Sequence, residues 1–233
     1  MLPRCVHDAS ATPKVVSMKI GRDNKTALSK RDPQSVTPHN AVECYYVYAS
    51  VGTPPQTVQL QIDSGSSGVW MVGSDAYQAC SPYCQGGDYN RSQSSTYSLL
   101  AEGDFEITCV TPGLYVTGDY FSNVIALGEQ SMQNLTMGVA NASAAMSTGI
   151  LGIGFDTEEA AVAGNGGQPY ANIDVMVAQG LIQTRAYRLY LHDLDANTGA
   201  ILFGGIDTEK YVDDLAILDM VWTNTLDWWT LPL

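Results

Sequence analysis

The stretch Gln61-Ile62-Asp63-Ser64-Gly65-Ser66-Ser67-Gly68-Val69-Trp70 joins an apolar strand to an acidic turn and then to a second apolar segment. Before the turn, apolar and polar side chains alternate with the period of a half-buried strand: Val58, Leu60 and Ile62 against Gln59, Gln61 and Asp63. Gly65 permits backbone conformations that a side chain hinders. The serine hydroxyls that follow Asp63 offer hydrogen bonds to its carboxylate without crowding it. The pattern therefore predicts a strand that ends in a turn holding one carboxylate.

The triplet Asp63-Ser64-Gly65 supports two interpretations when it is taken alone. A carboxylate fixed in a tight turn can hold a water or a substrate, and its hydrogen bonds help to set its acidity. An Asp at this position also commonly caps a β-hairpin without any chemical role. Because such a triplet arises by chance in roughly one chain in ten of this length, the flanking segments have to decide between the two interpretations.

Several separated segments resemble the amino-terminal lobe of pepsin-like aspartic endopeptidases, with the fungal secreted and cell-surface branch as the nearest match. They follow the order of that family: residues 45–56 with 62–70, 148–155, 187–191 and 199–207. Residues 148–155 resemble the family's apolar-apolar-glycine segment, which passes beneath the active-site turn. The similarity spans about residues 44–219. It implies an amino-terminal catalytic lobe over that range.

The resemblance implies a role for each residue of the turn. Asp63 is expected to be one of two aspartates that share a proton around a bound water and hydrolyse a peptide bond by general acid–base catalysis. Ser66 orients Asp63, the backbone of Ser64 and Gly65 holds the water, and Trp70 supports the turn. No metal and no cofactor are required. The expected substrate is an extended peptide or protein whose large apolar side chains enter alternating pockets.

The second aspartate of such a site is missing from this sequence. None of the late aspartates is followed by Ser/Thr-Gly: Asp207, Asp213, Asp214, Asp219 and Asp227. Residues 220–233 are interpreted as a truncated or divergent start of a second lobe, in a truncated or misread gene product. Three hypotheses remain: a lobe that is inactive without its second lobe, a homodimer in which each copy supplies Asp63, and a non-catalytic peptide-binding relic.

The fold class predicted for the chain is all-β. The 233 residues include 22 glycines and 13 tyrosines but only 4 phenylalanines, which suits many short strands joined by turns. The resemblance implies strongly bent antiparallel sheets with one or two short helices. The one clear helical pattern covers residues 170–182, and Gly180 is expected to end it.

The segment 1–43 differs from the rest and is similar to an inhibitory propeptide. It contains a predicted short strand at residues 15–20, and its basic residues include Lys14, Lys19, Arg22, Lys25, Lys30 and Arg31. A basic segment laid over an acidic cleft is held while carboxylates are ionised and released as they protonate. Lys30-Arg31 is a candidate processing site, although a solvated linker explains the charges equally well.

Net charge is −13, with 24 acidic against 11 basic residues, which argues against nucleic acid as a partner. The family often carries a small disulfide loop after the active-site strands, which implies a bridge between Cys80 and Cys84. Five cysteines leave at least one unpaired, and the pairing of Cys5, Cys44 and Cys109 stays open. Metal binding is the alternative for Cys80 and Cys84, but the three histidines do not cluster with them.

The family implies a secreted or cell-surface protein, and four glycosylation sequons agree with this: Asn24, Asn90, Asn134 and Asn141. Residues 1–7 lack the apolar run of ~7 to 15 residues found in a signal peptide. We therefore expect no secretory signal within this sequence, and no segment approaches the ~20 apolar residues of a membrane span.

The substrate-covering hairpin, or flap, departs from the family pattern. Residues 105–120 match the flap at both ends, but Cys109 occupies the position where the family has a Tyr that hydrogen-bonds to Trp70. Tyr115 lies on the far side of Pro112-Gly113 and reaches the cleft only if the hairpin register differs. Because a mobile lid positions substrate and excludes water, we expect impaired flap function and a Trp70 without its usual partner.

Overall fold

The computed structural model describes residues 14–22, 45–76, 86–108, 115–144, 148–154, 172–192, 198–206 and 212. Strands dominate this part of the chain: β1 (Val16–Arg22), β2 (Tyr45–Val51), β3 (Gln56–Asp63), β4 (Val69–Val72), β5 (Ser98–Thr108), β6 (Tyr115–Leu127), β7 (Gln130–Ala144), β8 (Gly149–Gly152), β9 (Tyr187–Leu191) and β10 (Thr198–Phe203). The helical elements include the 3-10 helix Arg91–Gln93 and the α-helix α1 (Asn172–Ala178), and residues 74–76 are also helical. The all-β prediction is confirmed.

The ten strands form one sheet in the order β5-β6-β7-β4-β8-β3-β2-β1-β10-β9. An additional pairing between β6 and β2 bends the sheet back on itself, so that six strands make a barrel-like ring. Two pairings are parallel, β3 with β8 and β4 with β7, and the other pairings are antiparallel. Strong bending of the sheet is what buries its apolar face without a covering layer of helices.

The core lies inside the ring and follows the strand alternation. In β2 and β3, Val47, Val58 and Leu60 are at most 1% exposed. The same apolar cluster includes residues from the neighbouring strands: Phe121, Ile125, Leu135, Met137 and Leu151. A second, smaller cluster packs around Trp70 and Phe105. The predicted half-buried strand before Asp63 is therefore one wall of the main core.

The basic amino-terminal segment contributes a strand to the sheet. β1 pairs with β10 along six residues and with β2 at its end, and Val16, Met18 and Ile20 are buried. The predicted strand at residues 15–20 is confirmed, one residue later at its start and two at its end. The apolar side chains of β1 belong to the core, and the interpretation of segment 1–43 as a propeptide over an acidic cleft stays a prediction. Lys30-Arg31 lies outside the described residues.

The predicted helix at residues 170–182 is confirmed in type but is shorter than expected. Helix α1 buries Ile173 and Met176 against the core. Gly180 adopts a φ of +66°, and its N–H bonds to the Val177 carbonyl. Because glycine accepts this left-handed conformation without a side-chain clash, it ends the helix as the sequence predicted.

Candidate active site

Asp63 is the last residue of β3, and its own turn holds both of its carboxylate oxygens. The Gly65 N–H donates to Oδ1 at 2.9 Å, and the Ser66 hydroxyl donates to Oδ2 at 2.6 Å. Asp63 and Ser66 are half-buried, while Ser64 and Gly65 are exposed. The carboxylate therefore has a fixed orientation and still reaches solvent, which is the arrangement that a water-binding carboxylate requires.

The turn at Asp63 does not close a simple hairpin. Strands β3 and β4 flank it, but β8 lies between them, parallel to β3 and antiparallel to β4. A capping role in a β-hairpin requires the two flanking strands to pair with each other. The hairpin interpretation of the Asp-Ser-Gly triplet is therefore wrong for this chain.

The end of β8 supports the turn from below, as the resemblance implied. Three backbone N–H groups donate to carbonyls of the turn: Gly152 to Gly68 at 2.8 Å, Ile153 to Asp63 at 2.7 Å and Gly154 to Ser66 at 2.7 Å. The approach is so close that a Cβ on Gly152 would lie 2.6 Å from the carbonyl oxygens of Gly68 and Ser66. Glycine at 152 is thus required by the distance between two backbones.

Asn172 anchors the glycine segment, a role that the sequence analysis did not identify. Its side chain is fully buried, and Nδ2 donates to the Gly152 carbonyl. Helix α1 begins at this residue, so the helix and the glycine segment are held together at one point. Its only signal in the sequence was a polar residue at the start of an apolar helical pattern.

Trp70 is 2% exposed and packs against Phe105, with ring centroids 6.0 Å apart. Its Nε1 is buried and has no hydrogen-bond partner among the described residues. Strands β5 and β6, which form the predicted flap, pair up to Thr108 and Tyr115, and Tyr115 is 47% exposed. Cys109 and Gly113 lie outside the described residues, so the expected impairment of flap function stays a prediction.

A second polar cluster, centred on Asp119, joins strands β5, β6 and β7 by hydrogen bonds. Asp119 in β6 is 2% exposed. Its Oδ2 accepts from Arg91 Nη1 at 2.5 Å and from Asn141 Nδ2 at 2.9 Å, and its Oδ1 accepts from the Gly103 N–H at 2.8 Å. Burial alone would raise the pKa of Asp119, but these hydrogen bonds and the charge of Arg91 outweigh it and hold that pKa below its usual range.

Cys80, Cys84 and the late aspartates from Asp207 onward all lie outside the described residues. Within the described ranges, no group of three or more His, Cys, Asp or Glu side chains is arranged to hold a metal ion. No helix there is both long enough and apolar enough to cross a membrane.

Comparison with known proteins places these features in a family. Residues 44–232 match the family model described as eukaryotic aspartyl protease. A probable aspartic-type endopeptidase OPSB of Arthroderma benhamiae is 39% identical over 93% of this chain and 44% of its own length. The opsB protein of Aspergillus fumigatus is 37% identical over 90% of this chain and 43% of its own.

A secreted aspartic protease 6 of Candida albicans is 34% identical over 85% of this chain and 48% of its own length. The chain thus spans less than half the length of these relatives. The match covers the Asp63 turn, the glycine segment beneath it and the strands β9 and β10. The chain therefore belongs to the eukaryotic aspartyl protease family.

Proposed function

We propose that this chain supplies one half of the active site of an acid endopeptidase, with Asp63 as its catalytic carboxylate. The observation that carries the proposal is the geometry of the turn, in which Ser66 and the Gly65 N–H each hold one oxygen of Asp63. The orientation is set before any substrate binds, so no reorganisation is needed when the reaction starts.

In the proposed mechanism, Asp63 shares one proton and one water with a second carboxylate. The ionised partner takes a proton from the water as it attacks the peptide carbonyl carbon, and the protonated partner donates to the carbonyl oxygen. The proton is then delivered to the leaving nitrogen as the C–N bond breaks. The substrate is an extended peptide, covered by the flap that contains Cys109, Gly113 and Tyr115.

The second carboxylate is proposed to come from a second lobe. Strand β9 pairs only with β10 among the described strands, and its outer face exposes Tyr187, Leu189 and Leu191 at 37%, 40% and 46%. An apolar edge strand of this kind is typically covered in the working protein. Relatives about twice as long as this chain have the length for such a lobe.

We also propose secretion or display at the cell surface, an oxidised Cys80–Cys84 pair and processing at Lys30-Arg31. Secretion is supported by the name of the Candida albicans relative. The other two assignments rest on the family resemblance and on the position of these residues in the chain.

Complementation tests the proposal. The chain is produced alone and together with the carboxy-terminal half of the Arthroderma benhamiae relative, and cleavage of an apolar peptide is measured at about pH 4. We expect no cleavage by the chain alone, cleavage by the pair, and loss of cleavage on Asp63→Asn. The matched control Asp75→Asn changes an exposed carboxylate elsewhere on the surface and should retain activity.

Two outcomes would replace the proposal. Cleavage by the chain alone that rises with the square of its concentration would indicate a homodimer with Asp63 from each copy. Binding of a transition-state mimic without cleavage in any combination would indicate a peptide-binding relic.

A further inference from the structure

The sequence contains four N-glycosylation sequons. In three of them the structure shows how exposed the asparagine side chain is and what it bonds to, and the three differ. Asn90, Asn134 and Asn141 lie in described residues, and Asn24 does not. A glycan is bulky and hydrophilic, so a folded protein accommodates it only where the asparagine side chain projects from the surface.

Asn134 meets this requirement. It is exposed, and its φ is +53°. The register of β6 against β7 skips at this point, because Asn123 pairs with Leu135 whereas Ile125 pairs with Met132. Two residues of β7 thus face one of β6, which makes a β-bulge that turns a side chain outward. Asparagine tolerates the left-handed conformation better than most residues.

The bulge is held in place by its neighbours. The Gln179 side chain, which follows helix α1, accepts from the Gln133 N–H at 2.9 Å and donates to the Gln133 carbonyl at 2.7 Å. Met132 and Leu135, on either side of the bulge, are 1% and 0% exposed. The backbone at Asn134 is therefore fixed, and the exposure of its amide is a stable property of the fold.

The other two amides are engaged with the protein. Asn141 Nδ2 donates to the buried carboxylate of Asp119, so its nitrogen faces inward. Asn90 is half-buried, and its Oδ1 accepts from both the N–H and the hydroxyl of Ser92. The side-chain amide of Gln56 donates to the Asn90 carbonyl and accepts from the Asn90 N–H. Neither side chain projects freely from the surface as Asn134 does.

We propose that Asn134 carries an N-linked glycan and that Asn141 stays unmodified. The proposal rests on the proposed passage of the chain through the secretory pathway. The donor is an oligosaccharide on a lipid pyrophosphate. Nδ2 of Asn134 forms a bond to C1 of the first sugar, the bond from C1 to the pyrophosphate oxygen breaks, and the lipid pyrophosphate leaves with that electron pair. The amide proton passes to a base of the transferring enzyme.

Peptide mass spectrometry tests the site. The full chain is directed into the secretory pathway of a yeast by an added leader and is collected from both the medium and the microsomes. A peptide N-glycosidase in H₂¹⁸O then converts each occupied asparagine to a mass-labelled aspartate. We expect the label at Asn134 and not at Asn141. An unlabelled Asn134, or a labelled Asn141, would overturn the proposal.

Sequon variants provide matched controls that leave both asparagines in place. Thr136→Val removes the hydroxyl of the Asn134 sequon and should remove one glycan, whereas Thr136→Ser keeps the sequon and the glycan. Ser143→Ala breaks the Asn141 sequon and should change nothing. Asp63→Asn should be glycosylated like the parent chain, so the result is independent of whether the proposed endopeptidase activity exists.

Discussion

Gly152 is the position at which one added carbon atom is expected to disturb the Asp63 turn most directly. In Gly152→Ala the new Cβ would meet three backbone atoms at 2.6 Å: Gly68 O, Ser66 O and Ser67 C. Reaching ordinary contact distance requires a movement of about 0.8 Å against backbone that is itself hydrogen-bonded. Overpacking of this kind costs about 1–3 kcal/mol.

The same movement lengthens the hydrogen bonds from Gly152 N–H to Gly68 and from Gly154 N–H to Ser66. A hydrogen bond of this type contributes about 1 kcal/mol. The expected loss in the free energy of unfolding is therefore roughly 3–5 kcal/mol, which is a large part of the ~5–15 kcal/mol typical of a folded domain.

Urea unfolding followed by far-ultraviolet circular dichroism measures this loss. The matched control is Gly21→Ala in β1, where an added Cβ has nothing within 4 Å and the free energy should change by less than about 1 kcal/mol. Amide hydrogen exchange at Ile153, whose N–H donates to the Asp63 carbonyl, locates the disturbance. If Gly152→Ala unfolds within about 1 kcal/mol of the parent chain, the close support of the turn by β8 is refuted.

Two further predictions concern buried polar groups. The lowered pKa of Asp119 means that its ionised form stabilises the fold above its unfolded pKa of about 3.9, and that this contribution is lost as pH falls through the folded pKa. Asp119→Asn should therefore have a lower free energy of unfolding than the parent chain at pH 6, and the difference should shrink toward pH 2. Unfolding measured across that pH range tests this. A difference that stays constant with pH would contradict the pairing of Asp119 with Arg91 and Asn141. Asn172→Leu removes the hydrogen bond to the Gly152 carbonyl and should lower the free energy of unfolding by about 1–3 kcal/mol. Amide hydrogen exchange at residues 152–154 should become faster. Unchanged exchange there would exclude Asn172 as the anchor of this segment.

Local patterns predicted β3, the strand at residues 15–20 and the helix because their signals lie within a few residues. The alternation before Asp63 predicted β3, and the structure buries Val58 and Leu60 almost completely. The apolar spacing after residue 170 predicted α1, and Gly180 marked its end. The position of β8 beneath the turn came from family resemblance and not from any periodicity.

Contacts between distant residues had no such signal. Arg91 and Asp119 are separated by 28 positions, and each is an ordinary charged residue in its own segment. The role of Asn172 depends on the proximity of Gly152, which no local pattern encodes. The pairing of β1 with β10 had no local signal for the same reason, although a strand at residues 15–20 was predicted.

The insertion of β1 between β2 and β10 has a consequence for the order in which the sheet forms. Strands β9 and β10 connect to the other described strands only through β1, and β1–β10 pairing joins Val16 to Phe203, almost the two ends of the described chain. Contacts this far apart in sequence form slowly because a long loop must close first. Because β1 is synthesised before β10, the edge of β1 that pairs with β10 stays unpaired until β10 has been made. Until then, this edge is open to pairing with another strand.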